Sequence, residues 1–166
     1  MRAHGNQPYG QAPYVTHLAA VRGALAEFGH GGDLLVAAWL HDVLEDTLTP
    51  RAELAAAFGP SVEALVWAVT GVGEERAERN RSAYAKIRAL PLAATLKLAD
   101  RLANVRACLR DNPEKLAKYR AEMPGFEHAL EGLGDPRLWA ALRRALAGDE
   151  TPTPGVGGST SPPTGG

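Results

Sequence analysis

A run of apolar residues that leads directly into four ionisable ones constrains this chain more than any other feature. Residues 34–40 read LLVAAWL, and a helix that is apolar on all sides belongs in the centre of a core. The residues that follow include His41, Asp42, Glu45 and Asp46. Three carboxylates at the end of a core helix repel one another and lie near the negative end of the helix dipole. A neighbouring positive charge would offset this repulsion.

Two interpretations of this segment are open. The spacing i, i+1, i+4 and i+5 puts all four ionisable residues on one side of a helix, so we predict one helix over about 34–45 with a bound cation at its end. Alternatively, the helix ends at Leu40 and residues 41–46 begin a solvated loop, because a histidine–aspartate pair often occurs by chance. The rest of the chain favours the first interpretation.

The chain as a whole predicts an all-α fold. Ala, Leu, Arg and Glu dominate, and runs of Val, Ile and Thr with two-residue alternation are absent, so we expect no β-strand. Glycine, proline and capping residues divide the chain into segments that we predict to be helical: 14–28, 34–45, 50–58, 60 to about 71, 81–90, 91–110, 114–130 and 136–146. We expect a loop over 71–80.

Composition limits the class of protein. The 166 residues are 45% apolar, enough for one core, and we predict one domain over 1–147. Residues 148–166 are rich in Pro, Gly, Thr and Ser, which predicts a disordered tail. The net charge of -1 gives no general reason to expect binding to nucleic acid or a membrane. A single cysteine, Cys108, and the lack of an apolar stretch typical of a signal peptide or a spanning helix predict a cytoplasmic protein.

A second chemical signal is the segment TLKLADRLANVRA, residues 95–107. On a helix, one stripe would consist of Lys97, Asp100, Arg101, Asn104 and Cys108, with apolar residues around it. Asp100 fits a metal ligand. It also fits one half of an ion pair, because a lone aspartate next to an arginine, here Arg101, is usually ion-paired.

A third signal is His17, which precedes an apolar stripe in PYVTHLAAV. A single histidine near a helix start is more often structural than a ligand. The other candidate ligands favour a metal-binding role for His17. Together, His17, His41, Asp42 and Asp100 would supply two imidazoles and two carboxylates from three helices to one cation. Mixed nitrogen and oxygen ligation suits Mn²⁺, Fe²⁺, Mg²⁺ or Zn²⁺, and open positions would hold water and phosphate.

Four motifs in this order resemble those of a known family. PYVTH, AAWLHDVLEDT, FGPSVEALVWAVTGV and LKLADRLANVRA are similar to the motifs of HD-domain phosphohydrolases, and in particular to the hydrolase domain of the RelA/SpoT family and to stand-alone small alarmone hydrolases. The resemblance covers roughly residues 3–130 and implies a single HD-domain helical bundle. It also implies Mn²⁺-dependent hydrolysis of guanosine 3′,5′-bis(diphosphate), ppGpp, to GDP and pyrophosphate, which lowers this signal of the stringent response.

The resemblance implies roles for single residues as well. The metal ligands would be His17, His41, Asp42 and Asp100. The catalytic acids that position or activate the attacking water would be Glu45 and Asp46. The substrate-side residues would be Lys97 and Asn104. Such a centre needs no covalent intermediate, in agreement with the lack of an evident Ser or Cys nucleophile in the sequence.

One departure from the family keeps other functions open. Its members usually carry an Arg-Lys stretch just before the first motif, whereas this chain has no Arg or Lys between Arg2 and Arg22. The candidate cations that could attract a polyphosphate are Arg76, Arg79, Arg81, Lys86 and Arg88. A solvated helix face explains each of these residues slightly better. The alternatives are an HD phosphohydrolase that acts on another nucleotide or a phosphate monoester, and a non-catalytic nucleotide-binding protein. The expected partner is a small-molecule nucleotide, and self-association stays open.

Overall fold

The computed structural model describes residues 8–9 and 12–149, and these are all-α apart from one short pair of strands. The α-helices are α1 Val15–Glu27, α2 Asp33–Leu40, α3 Val43–Asp46, α4 Arg51–Phe58, α5 Pro60–Val69, α6 Arg76–Ala89, α7 Leu92–Asp111, α8 Leu116–Leu130 and α9 Pro136–Ala147. A single 3₁₀ turn, Pro113–Lys115, precedes α8. The strands β1 Pro8–Tyr9 and β2 Ala12–Pro13 pair antiparallel ahead of α1.

Helix α7 is the centre of the fold, because it packs against α1, α5 and α9. Its side chains Leu96, Leu98, Leu102 and Val105 are fully buried. Burial of one such side chain contributes about 1.5–3 kcal/mol. Because neighbouring helices cover α7 on several sides, its Asp100 is carried into the interior as well.

Several helix ends lie where the sequence predicts them. Gly59, with φ at +90°, closes α4 and lets Pro60 begin α5 at once. The side chain of Asp135 caps α9 by accepting a hydrogen bond from the backbone N–H of Arg137. Such a cap contributes about 1 kcal/mol. The predicted all-α fold is confirmed.

The predicted helix over 34–45 is wrong in one respect, because the structure divides it into α2 and α3. Asp42 has φ −100° and ψ −1°, at the edge of the helical region, and a ring nitrogen of His41 lies 2.9 Å from the carbonyl oxygen of Ala38. In a continuing helix that oxygen would accept from the N–H of Asp42. The alternative is right that the helix ends at Leu40. Its solvated loop is wrong, since His41 is only 2% exposed and residues 43–46 form α3. The chain bends inside the protein.

The predicted loop over 71–80 is too long, because α6 begins at Arg76. Glu75 and Glu78 form a capping box, in which each side chain accepts a hydrogen bond from the backbone of the other. The charged residues that suggested a loop are therefore the start of the helix. Within residues 8–9 and 12–149, the expectation of no strand fails only at β1 and β2, which are too short to show an alternating pattern.

No helix in residues 12–149 is both long and apolar enough to cross a membrane. Residues 150–166 of the predicted tail lie outside the described residues. The division of the chain into a domain and a disordered tail stays a prediction.

Candidate metal centre

Separate parts of the fold bring two histidines and two aspartates together, and we call these four residues the metal quartet. His17 lies near the start of α1, Asp100 lies in the middle of α7, and His41 and Asp42 form the turn between α2 and α3. The Nε2 atoms of the two histidines are 3.3 Å apart. They lie 3.3 and 3.7 Å from Oδ1 of Asp100. Oδ2 of Asp42 lies 3.1 Å from Nε2 of His41 and 4.0 Å from Nε2 of His17.

These separations fit a single divalent cation. Ligand atoms that lie about 2.1 Å from one ion cannot be more than about 4.2 Å apart. Every separation given above is shorter than that limit, and one ligand atom from each of His17, His41 and Asp42 lies within 4.8 Å of the others. The structure therefore brings His17, His41 and Asp42 close enough together to share one ion, and Asp100 lies against both histidines. Their mixed nitrogen and oxygen atoms suit a borderline or hard cation.

The second ring nitrogen of His41 orients its imidazole. Nδ1 lies 2.9 Å from the carbonyl oxygen of Ala38, and a carbonyl can only accept, so Nδ1 carries the proton. Nε2 of His41 is then the unprotonated nitrogen that can bind a metal. Histidine ligands in proteins usually have such a second hydrogen bond, because it fixes both the tautomer and the ring.

Tyr14 is a residue of this centre that the sequence analysis missed. Its hydroxyl donates a hydrogen bond to Oδ2 of Asp42, and its ring centre lies 5.7 Å from that of His17. Tyr14 is buried and directly precedes α1. A signal was present in the sequence, since Tyr14 precedes His17 by three residues and residues with that spacing share a helix face.

Two neighbours on its own helix hold Asp100. Nζ of Lys97 lies 2.9 Å from Oδ2, and the side-chain amide of Asn104 donates to Oδ1 at 2.7 Å. Arg101 is not the ion-pair partner of Asp100, because its guanidinium contacts Glu122 at 2.7 Å. The structure therefore gives Lys97 and Asn104 a contact with a candidate metal ligand, whereas the resemblance assigned them to the substrate.

The two aspartates of the metal quartet differ in their electrostatics. Burial raises the pKa of Asp42 well above its ordinary value, and the neighbouring charge of Asp100 raises it further. Burial also acts to raise the pKa of Asp100, but the charge of Lys97 and a hydrogen bond from His17 bring that pKa well below its ordinary value. A divalent cation between the carboxylates would remove their repulsion, because a bound ion is the largest local charge.

Glu45 and Asp46 lie beside the quartet on α3, and both are exposed. Their charges raise the pKa of Asp42, which places both within electrostatic range of the quartet. Oε1 of Glu45 accepts a hydrogen bond from the backbone N–H of Gly71. The predicted acidic pair is therefore exposed to solvent next to the buried ligands.

Most of the candidate cations on α6 have structural contacts. Arg76 pairs with Glu122 at 2.8 Å. Arg88 donates to a backbone carbonyl of α8 at 2.9 Å, and Arg79 and Lys86 also donate to backbone carbonyls. These contacts favour a structural role for the cations over a field directed at a polyphosphate.

Comparison with known proteins identifies the family. A family model described as HD domain matches residues 1–125. The chain belongs to the HD domain family. A guanosine-3′,5′-bis(diphosphate) 3′-pyrophosphohydrolase of Aquifex aeolicus is 38% identical over 115 residues, which are 66% of this chain and 16% of that protein. A probable GTP pyrophosphokinase of Mycobacterium leprae is 37% identical over 159 residues, which are 82% of this chain and 20% of that protein.

This HD domain thus spans a fifth or less of the length of those curated relatives. A solved structure matches far more evenly, with a TM-score of 0.76, 29% identity and 89% of each chain covered. That protein is described as a metazoan ortholog of SpoT that hydrolyses ppGpp and plays a role in starvation responses. The predicted HD-domain helical fold is therefore confirmed.

Proposed function

We propose that this HD domain hydrolyses ppGpp with the help of Mn²⁺ held by the metal quartet, His17, His41, Asp42 and Asp100. Water adds to the 3′-pyrophosphate group, and the products are GDP and pyrophosphate. The observation that carries the proposal is that the Nε2 atoms of His17 and His41 lie 3.3 Å apart and 3.1 to 4.0 Å from the carboxylate oxygens of Asp42 and Asp100. Similarity over 89% of each chain to a protein described as hydrolysing ppGpp supports the choice of substrate.

The residues around the quartet have distinct tasks in this proposal. A cation bound there would lower the pKa of a bound water and neutralise phosphate oxygens. Glu45 and Asp46 accept or steer the proton of the attacking water, since both are exposed and within electrostatic range of Asp42. Lys97 and Asn104 hold the carboxylate of Asp100. Their contact with substrate stays a prediction.

A product-resolved assay tests the proposal. Purified protein loaded with Mn²⁺ should convert ppGpp to GDP and pyrophosphate, and His41→Ala should lose both bound metal and turnover. A matched control is His30→Ala, because His30 pairs with Asp135 at 2.8 Å rather than with the quartet. The control should keep its metal and its turnover. Release of orthophosphate instead of pyrophosphate would contradict the proposed reaction.

A second candidate is an HD phosphohydrolase that acts on another nucleotide or on a phosphate monoester. The observation that favours it is the lack of any Arg or Lys between Arg2 and Arg22, before the first motif. A panel of nucleotides and monoesters assayed with Mn²⁺ distinguishes the candidates. A substrate that is hydrolysed at least about tenfold faster than ppGpp would replace it in the proposal.

A third candidate, a non-catalytic nucleotide-binding protein, has no use for Glu45 and Asp46. The double variant Glu45→Gln with Asp46→Asn should therefore keep its Mn²⁺ and lose turnover. If turnover survives, the role given to the two acids is wrong. Nucleotide binding without turnover in the parent protein would support the third candidate. The cytoplasmic location and self-association stay predictions.

A further inference from the structure

The carboxylate of Glu45 is held from outside its own helix. Helix α3 has only four residues, and so short a helix gives little rigidity by itself. Oε1 of Glu45 accepts a hydrogen bond from the backbone N–H of Gly71, in the turn that follows α5. No hydrogen bond to Oε2 is present among residues 12–149. The position of Oε2 therefore depends on the turn at Gly71.

This turn is packed directly on α6. A Cβ atom on Gly71 would lie 2.6 Å from Cβ of Arg79 and 3.2 Å from its Cα, so only glycine allows so close an approach. On the other side, the hydroxyl of Thr70 donates to the carbonyl oxygen of Val66 at 2.8 Å. The turn is thus fixed between α5 and α6.

Lys86 reaches the same turn from α6. Its Nζ donates to the carbonyl oxygen of Thr70 at 2.5 Å and lies 3.8 Å from the centre of the Trp67 ring. The face of an indole attracts an ammonium group. Burial lowers the pKa of Lys86 and the charge of Glu45 raises it, so the two groups lie within electrostatic range.

The carbonyl of Thr70 and the N–H of Gly71 belong to one peptide group. This group is planar and rigid, and its oxygen and its hydrogen point in opposite directions. Lys86 binds the oxygen, and Glu45 binds the hydrogen. A cation on the oxygen also polarises the peptide, which strengthens the hydrogen bond that its N–H donates.

We infer that Lys86 is a positioning residue for Glu45, acting through the peptide group between Thr70 and Gly71. The inference rests on the proposed function, because it needs Glu45 to serve the attacking water. Loss of the ammonium group lets the peptide rotate and weakens its hold on Oε1. The expected consequence is a lower kcat with an unchanged metal site, because the quartet is held by other contacts.

The test compares variants of the full chain loaded with Mn²⁺. Lys86→Met keeps an apolar stem over Trp67 and removes the donor, so kcat on ppGpp should fall about tenfold, with KM and the Kd for Mn²⁺ changed by less than about twofold. Lys86→Arg retains a donor and should restore most of kcat. The matched control is Arg51→Met, because the Arg51 guanidinium lies 4.3 Å from the same ring and pairs with Glu63. The control should keep its kcat.

A double-mutant cycle separates positioning from general support of the fold. In a Glu45→Gln background, Lys86→Met should lower kcat by less than about twofold further, because the two residues act as one unit. A full tenfold loss in that background would overturn the inference. An equal loss in Arg51→Met, or a parallel loss of Mn²⁺ affinity in Lys86→Met, would do the same.

Hydrogen exchange at the Gly71 amide reports the contact without any turnover. Exchange should become about tenfold faster in Lys86→Met and in Glu45→Gln. Unchanged exchange in Lys86→Met overturns the inference whatever the activity is. If exchange rises while Glu45→Gln keeps its kcat, the proposed role of Glu45 fails, and the catalytic part of the inference fails with it.

Discussion

Asp100 and Arg101 are neighbours in α7, yet they belong to two charge networks of opposite balance. Around Asp100, a second carboxylate is buried close by, and burial and the charge of Asp100 raise the pKa of Asp42. Around Arg101, the single carboxylate of Glu122 pairs with two guanidinium groups, those of Arg101 and Arg76. Burial acts to raise the pKa of Glu122, but hydrogen bonds from Arg76 and Arg101 lower it to about 2.

The Glu122 network consists of Glu122, Arg76 and Arg101 and joins α6, α7 and α8, and its carboxylate is paired with both guanidinium groups. The metal quartet carries excess negative charge, which a cation would balance. The difference teaches how to distinguish the two kinds of buried charge. A carboxylate that neighbouring side chains pair supports the fold, whereas carboxylate charge left in excess marks a candidate cation site.

The largest effect is expected from Asp42→Asn, which changes the unbalanced network. The affinity for Mn²⁺ should fall by more than about 100-fold, because a charged ligand is lost. The metal-free variant should be as stable as the parent or up to about 1 kcal/mol more stable, because burial and Asp100 oppose the charge of Asp42. Calorimetric titration and urea unfolding in a chelator measure the two effects. A less stable metal-free variant would break the comparison.

The paired carboxylate of the Glu122 network should respond in the opposite way. Glu122→Gln should lower the free energy of unfolding by about 2 kcal/mol at neutral pH, after allowance for solvent screening, and leave Mn²⁺ affinity within about twofold. Folding lowers the pKa of Glu122 from 4.5 to about 2. Its charge therefore stabilises the fold above the unfolded pKa, and this contribution is lost as the pH falls through that interval.

Urea unfolding of the parent and of Glu122→Gln, at neutral pH and at about pH 2.5, checks the sign of this dependence. The difference between the two proteins should shrink at the lower pH. A difference of the same size at both pH values would show that packing of the Glu122 side chain, and not its charge, stabilises the protein.

The smallest effect is expected from Tyr14→Phe. Among the described residues, Tyr14 is the only tyrosine whose hydroxyl contacts the metal quartet, so this variant tests the contribution of that one hydrogen bond. Loss of its hydrogen bond to Asp42 should weaken Mn²⁺ binding about tenfold. The matched control is Tyr84→Phe, since the Tyr84 ring packs on Phe126 at 5.9 Å instead. Equal Mn²⁺ affinities for the two variants in a calorimetric titration would remove Tyr14 from the metal centre.

Local features of the sequence predicted much of this molecule. The cap at Asp135 and the turn at Gly59 depend on a few neighbouring residues, so the sequence alone was enough to find them. The metal quartet was also predictable, because imidazoles and carboxylates among apolar residues are visible in a sequence. The start of α6 was readable too, from Glu75 and Glu78, but their charges were interpreted as a loop.

Contacts between distant parts of the chain were not predictable in the same way. The end of α2 depends on where the ring of His41 lies, and that ring is fixed in the interior by the fold around it. The bond from Tyr14 to Asp42 spans 28 positions, and the bond from Arg101 to Glu122 spans 21. Each bond joins residues from different parts of the fold, so only tertiary packing determines these pairs.

The burial of α7 has a consequence for how a protein of this shape can diversify. Because α1, α5 and α9 cover this helix, most substitutions in it would disturb packing and the geometry around Asp100 together. Leu48, which follows α3, has no such restriction, since it is fully exposed. New substrate preferences in this scaffold should therefore arise through changes near Leu48, while α7 tolerates the fewest mutations.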